Sequence, residues 1–307
     1  MNVLYLIFNR PQLQVQSFAK IKEARPARLF VAADGPRTDR PDDIQKCHEA
    51  RRIIEQVDWP CEVKTLFRDS NLGCRRAVID AITWFFDNAD EGIVIEDDCV
   101  VSQSFIDYAV LLLNHYRYDT RLWCISGNNY QRGLWRGDGS YYFSRYSQCW
   151  GWATWKRCWQ KYDEYLLSWP HAKSQGFPEM LFHRKEEVNY WTSVWDGMFN
   201  PKTTIDTWDY QWLFTVLLNG GLTACPNRNL VTNVGYGGDG THCFGATPDP
   251  GIEKFVDSII HPTFFLPNSD ADELTFRHFY NPSGSTTKIP FYKRTKQKVS
   301  QWICPSA

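Results

Sequence analysis

The chain opens on an unbroken apolar run, Val3 to Phe8, with no polar residue in alternation. A run of this kind predicts a strand covered on both faces. Asn9-Arg10-Pro11 stops it, and LQVQSFAKIKEA then reads as a helix. The next apolar segment, ARLFVAAD, ends at Asp34-Gly35-Pro36, a turn signal. Strand, helix, strand is a doubly wound α/β beginning, in which ligands gather at the carboxyl ends of the strands, where Arg10 and Asp34 would lie. The pattern continues with a helix over roughly 39–57, a short strand in CEVKTLFR, and a loop entering an amphipathic helix in SNLGCRRAVIDAITWFFDNA. Beyond residue 91 it predicts a strand in GIVIE, a helix in SQSFIDYAVLLLNHYR and a strand in LWCISG. An irregular aromatic stretch, YYFSRYSQCWGWATWKRCWQKY, comes next. A helix in TIDTWDYQWLFTVLLNGG is stopped by Gly220-Gly221. With no internal repeat or low-complexity linker, the expectation is one α/β domain over 1–260 and a Pro-punctuated C-terminal extension over 261–307.

The segment GIVIEDDCVVS raises a chemical question. Ile93-Val94-Ile95 ends abruptly in Glu96, Asp97 and Asp98 before apolar character resumes at Cys99. Adjacent carboxylates repel one another and desolvate badly, so a chain that keeps them beside a core strand supplies a cation or a fixed set of donors. Mg²⁺ or Mn²⁺, hard cations that prefer oxygen ligands, would resolve the conflict. A solvated strand end is the plainer account. A second carboxylate pair lies in the TIDTWDYQW segment. Asp206 as helix N-cap with Asp209 as the N3 member of a capping box is the bland reading. A carboxylate at a helix start also stays ionised, as a general base must.

Composition narrows the partners. At 307 residues and 43% apolar content the chain can bury one large core. A net charge of -1 argues against nucleic acid, whose binders carry a basic excess. Ten cysteines without a CxxC pair read as free thiols of a reducing compartment. No run reaches the 18 or so apolar residues of a membrane span, so a cytoplasmic location is expected. Contact with a membrane surface through Lys293, Arg294, Lys296 and Lys298 would suit a lipid-linked acceptor. The 14 Trp lean toward carbohydrate, since exposed indoles stack on sugar rings.

The order VIEDDCVVSQSFIDY, RLWCISGNN, CWGWATW, TWDYQW resembles glycosyltransferases of the GT-A fold, a Rossmann-like, mostly parallel sheet flanked by helices. Within that fold it resembles the N-acetylglucosaminyltransferases that begin complex N-glycan branching and extend protein O-mannose. Bacterial sugar-nucleotide transferases share FNRP, NLGC and WGWATW more closely, and the resemblance runs over roughly residues 3 to 245. It implies a metal-dependent inverting transferase using a nucleotide diphosphate sugar and a glycan or lipid-linked acceptor. Carried over residue by residue, Asp98 would bind the metal, Glu96 and Asp97 the ribose or donor sugar, Arg10 the diphosphate, Asp34 the base, and Asp209 would be the catalytic base. Arg68 with Asn71-Leu72-Gly73 would lie near the donor, Trp150 and Trp152 would shape the sugar pocket, and His242 would join the metal. Trp208-Asp209-Tyr210-Gln211-Trp212 departs from the family's Trp-Asp-Asp-Trp by one inserted residue and a missing acid. GYGGDGTHC lacks the Lys-Ser/Thr of a phosphate loop and suits a loop closing over the donor. Two rivals remain: a nucleotidyltransferase that makes sugar nucleotides, and a non-catalytic carbohydrate-binding protein.

Overall fold

The computed structural model describes residues 1–235, 255 and 258–281. Its first half alternates as the apolar runs predict: β1 (Asn2–Ile7), α1 (Pro11–Ala24), β2 (Arg28–Ala33), α2 (Asp42–Arg51), β3 (Glu62–Phe67), α3 (Cys74–Asn88) and β4 (Glu91–Glu96). β5 (Cys99–Val101), α4 (Gln103–His115), β6 (Leu122–Ser126), β7 (Tyr141–Ser144) and β8 (Trp152–Trp155) follow. A mainly helical stretch comes next, with α5 (Lys156–Trp159), α6 (Trp169–Ser174), α7 (Phe177–Leu181), α8 (Lys185–Phe199) and α9 (Asp209–Leu218). β9 (Leu222–Pro226), β10 (Val231–Asn233) and α10 (Ser269–Thr275) complete the set.

Eight strands form one mixed sheet in the order β3-β2-β1-β4-β8-β6-β9-β7. The four at one side are parallel, as are β6 and β9, while β8 and β7 run the other way. The chain therefore has an α/β, Rossmann-like architecture. Ile93, Val94 and Ile95 are wholly buried, as are Leu29, Phe30 and Val31, which is why these strands carry no alternation. Register decides what shares the rim: Ile7 pairs with Ala33, Leu6 with Glu96, and Ala33 with Phe67. Arg10, Asp34, Arg68 and the acidic turn thus leave the sheet at one edge.

The aromatic stretch contains two strands that its pattern hides. Trp152, Ala153, Thr154 and Trp155 of β8 are all buried, and the Thr154 hydroxyl donates to the Trp123 carbonyl at 2.6 Å. With both faces covered there is no exposed position to mark a period of two. Most of the tryptophan excess is core: Trp152, Trp155, Trp169, Trp191, Trp195 and Trp212 are fully buried. Trp169, Trp191 and Trp195 belong to a second apolar cluster between α6, α8 and α9, separate from the one that fills the sheet.

Residues 258–281 return to the sheet. The Asn268 amide donates to the Phe143 carbonyl at 2.8 Å, and Asp272 of α10 accepts from the Ser144 hydroxyl at 2.6 Å and pairs with Arg145 at 3.2 Å. Among the described residues no helix is long and apolar enough to cross a membrane, and eight cysteines carry free thiols. Lys293, Arg294, Lys296 and Lys298, with most of the extension, lie outside the described residues.

Candidate active site

A cleft of about 580 Å³ opens at the carboxyl edge of β1, β2 and β4. Its wall includes Arg10, Asp34, Arg68, Glu96, Asp97, Asp98 and Asp209. Six of these seven were expected at the strand ends, and the seventh arrives on α9 from 111 positions beyond Asp98, its first residue facing the acidic turn.

The acidic triplet has its countercharge inside the chain. Asp97 and Asp98 sit in the turn between β4 and β5, and the guanidinium of Arg10 bridges them. It pairs with Asp97 through both Nη2 and Nε, and with Asp98 Oδ2 through Nη1 at 3.0 Å. Burial alone would lower the Arg10 pKa, but Asp97 and then Asp98 outweigh it and hold the cation charged. The Phe8 amide also donates to Asp97 Oδ2 at 3.4 Å. Asp97 is 2% exposed and held by the Phe8 amide and Arg10. Asp97, expected to hold ribose or donor sugar, lines the cleft and anchors Arg10, which in turn has its donors engaged by acids.

Glu96 is left with less relief. Its carboxyl is pushed up by burial and next by Asp98, with Arg10 pulling the other way. An acid whose folded pKa is raised stabilises the fold most while protonated. That contribution shrinks as pH rises from the ordinary carboxylate range through the raised folded value. The melting temperature of the ligand-free protein should accordingly fall between about pH 5 and about pH 8. Glu96→Gln should flatten that fall, and a melting profile of unchanged slope in Glu96→Gln would remove the assignment.

The donors present suit a divalent cation. Among the described residues Asp98 Oδ1 is engaged only by the Cys99 thiol at 3.5 Å, and Glu96 beside it needs positive charge. No cluster of three or more His, Cys, Asp or Glu side chains able to hold a metal exists among the described residues. Two carboxylates with substrate phosphates completing the shell is the usual arrangement for Mg²⁺. His242 lies outside the described residues. The glycine-rich segment begins against the acidic turn: β10 pairs with β5, and the Val234 amide donates to the Asp98 carbonyl at 2.8 Å. A side chain at Gly235 would put Cβ 2.5 Å from Asp98 Oδ2, so only glycine permits this approach.

Asp34 is the organiser of a loop. Its two oxygens accept from the Gly35 amide at 2.8 Å, the Asn71 side chain at 2.8 Å, and the Leu72 and Gly73 amides at 3.0 and 3.2 Å. Burial raises its pKa despite those donors. A carboxylate offers about four lone-pair sites, so Asp34, expected to contact a nucleobase, lines the cleft with its oxygens already serving this loop. Arg68 lines the cleft with its guanidinium 3.4 Å from Asp80. Trp152 does not reach the cleft. It is fully buried, stacked on Trp208 at 5.5 Å and packed on Trp212 at 5.6 Å. The expectation for Trp152 is corrected to core packing, whereas Trp150, in the turn before β8, lines the cleft together with Trp208.

Asp209 is the first residue of α9, where it accepts a hydrogen bond from the Thr207 hydroxyl. Asp206 does not cap this helix. Its carboxylate instead accepts from the Cys74 and Arg75 amides, both at 2.8 Å, at the start of α3. Sequence reading missed this role, along with the presence of Arg37 and Arg40 on the cleft wall, because nothing local in either segment reports the fold that joins them.

No family model matches the chain, and no curated protein does. Among solved structures the chain is similar to HddC from Yersinia pseudotuberculosis at 11% identity, over 52% of this chain and 79% of that one, with a TM-score of 0.32. The same protein complexed with GMP-PN gives 0.33. 4-Diphosphocytidyl-2C-methyl-D-erythritol synthase from Anaerococcus prevotii is similar at 9% identity, over 52% of this chain and 75% of that one, at 0.32. At these values the function rests on the site itself.

Proposed function

We propose that the chain is a metal-dependent, inverting glycosyltransferase of the GT-A type. It moves a sugar from a nucleotide diphosphate donor to a hydroxyl of a glycan or lipid-linked acceptor. The observation that carries the reading is the placement of Asp209, at a helix start, on the wall of the same cleft as the acidic turn of Glu96 and Asp98. Asp209 accepts the acceptor's proton as that oxygen attacks the anomeric carbon from the face opposite the diphosphate. One displacement inverts the centre and needs no covalent intermediate. Asp98 and Glu96 would hold Mg²⁺ or Mn²⁺, which offsets charge developing on the leaving diphosphate. Arg10 keeps Asp97 and Asp98 in place for that task, and Asp34 keeps the Asn71–Gly73 loop folded over the donor.

One observation favours a second reading, a nucleotidyltransferase making sugar nucleotides: Arg37, Arg40, Lys46 and Arg68 line the cleft, where a triphosphate would compete with Asp43, Asp42 and Asp80 for Arg37, Lys46 and Arg68. Against it, the β1–α1 turn is Phe8-Asn9-Arg10-Pro11, with no glycine to wrap phosphates.

Thermal-shift screening against UDP, GDP, CMP and dTDP sugars with Mn²⁺, followed by product analysis, tests the proposal. A stabilising donor that yields the nucleoside diphosphate and a glycoside of inverted configuration is expected. Pyrophosphate release would establish the second reading, and binding without turnover of any donor would leave a carbohydrate-binding protein.

A further inference from the structure

Asp206 stands three residues before Asp209 in a stretch without regular secondary structure, yet it is bound to a helix 131 positions away in sequence. Its two carboxylate oxygens take the amides of Cys74 and Arg75, one each, at 2.8 Å. Those are the first two residues of α3, whose early N–H groups have no partner within the helix. No side chain of α3's own N-cap residue, Gly73, can serve them. Gly73 instead makes room: its φ is +82°, and a Cβ there would lie 2.8 Å from Asp206 Oδ2. The residue before α3 is thus shaped to admit a carboxylate from another part of the chain.

The contact closes a chain of hydrogen bonds around the cleft. Asp34 holds Asn71, Leu72 and Gly73 from β2. Gly73 leads directly into the α3 start that Asp206 holds. Thr207 follows Asp206 and donates to Asp209, while the Gln211 amide group returns to the Thr207 carbonyl at 3.0 Å. Gly73, Cys74, Asp206, Thr207 and Asp209 all line the cleft.

We propose that Asp206 is a positioning residue: it fixes the Asp209 carboxylate relative to the loop that frames the donor, using the α3 N-terminus as the reference point. This rests on the transferase reading above. Misplacing a catalytic group by about 1 Å can cost about 10²-fold in rate, so the expected signature is a loss in kcat with donor KM held.

The experiment compares wild type, Asp206→Ala and Asp206→Asn with the UDP, GDP and dTDP sugars and Mn²⁺, and measures hydrogen exchange of the peptides covering 71–78 and 207–212 in each protein. Asp206→Ala should lower kcat by about 10²-fold with donor KM nearly unchanged. Exchange should quicken in both peptides, and Asp206→Asn, which keeps one accepting oxygen, should recover part of both effects. An unchanged kcat, or a loss confined to KM, overturns the proposal. If the wild type transfers no sugar from any donor, the transferase reading fails, and the exchange data still decide the physical link. Quickening in 207–212 then supports the coupling, and quickening confined to 71–78 overturns it.

Discussion

Replacing Asp209 by Asn should lower kcat by about 10²-fold or more while donor affinity stays nearly normal. The expectation follows from what the substitution keeps and removes. Asn has the same shape, and its Oδ1 can still accept the Thr207 hydroxyl that orients Asp209. The start of α9 is also held without Asp209, since Tyr162 donates to the Trp208 carbonyl at 2.9 Å and Gln211 to the Thr207 carbonyl. What would be lost is the carboxylate proposed to take the acceptor's proton, and positioned proton transfer contributes about 10²–10⁴-fold. Initial rates against donor and acceptor, with calorimetry of the nucleoside diphosphate and Mn²⁺, separate the terms. A variant with wild-type kcat would put the base elsewhere, and one with a matching loss of nucleotide binding would move Asp209 from the acceptor to the donor.

The parts of this site that were legible in the sequence are those set by runs of neighbours. Val3 to Phe8, Leu29 to Ala33 and Ile93 to Ile95 announce buried parallel strands, and their abrupt ends announce the rim of the cleft. Three adjacent acids after such a strand show that a countercharge is needed. They do not show that a guanidinium 87 positions earlier supplies it, because that pairing exists only once β1 and β4 lie side by side. The same limit applies to Asp206. Its spacing from Asp209 fits a capping box, and the α3 amides that claim it are distant in sequence. Trp150 and Trp152 differ by two positions and share one composition. The strand begins at Trp152, which places that indole between Trp208 and Trp212 and leaves Trp150 in the turn beside the cleft.

Arg10→Ala should cost about 3 kcal/mol of stability near pH 8, and less near pH 5. The guanidinium is mostly buried, and deleting it leaves Asp97, 2% exposed, and Asp98, 7% exposed, facing each other and Glu96 without a cation. Truncating one partner of a buried pair costs about 3–5 kcal/mol because the remaining charge stays desolvated, and the lower end applies where that charge can take up a proton. Asp97 is already raised above the ordinary range by burial, with Arg10 the chief restraint. Without Arg10 its folded value rises further, so the native state binds protons that the unfolded chain has released. Stability then falls as pH climbs from the ordinary carboxylate range through that folded value, which fixes the sign of the pH dependence. Urea unfolding at the two pH values checks it, and Asp97→Asn in the Arg10→Ala background should return most of the loss. Equal losses at both pH values, or no rescue by Asp97→Asn, would show that Arg10 acts through packing. Mn²⁺ adds one more discrimination. Arg10 holds Oδ2 of Asp98, the carboxylate proposed to bind the cation, so Mn²⁺ should stabilise Arg10→Ala more than the wild type if guanidinium and metal compete for that acid. Equal stabilisation would place the metal on Glu96 and Asp98 Oδ1, with Arg10 undisturbed.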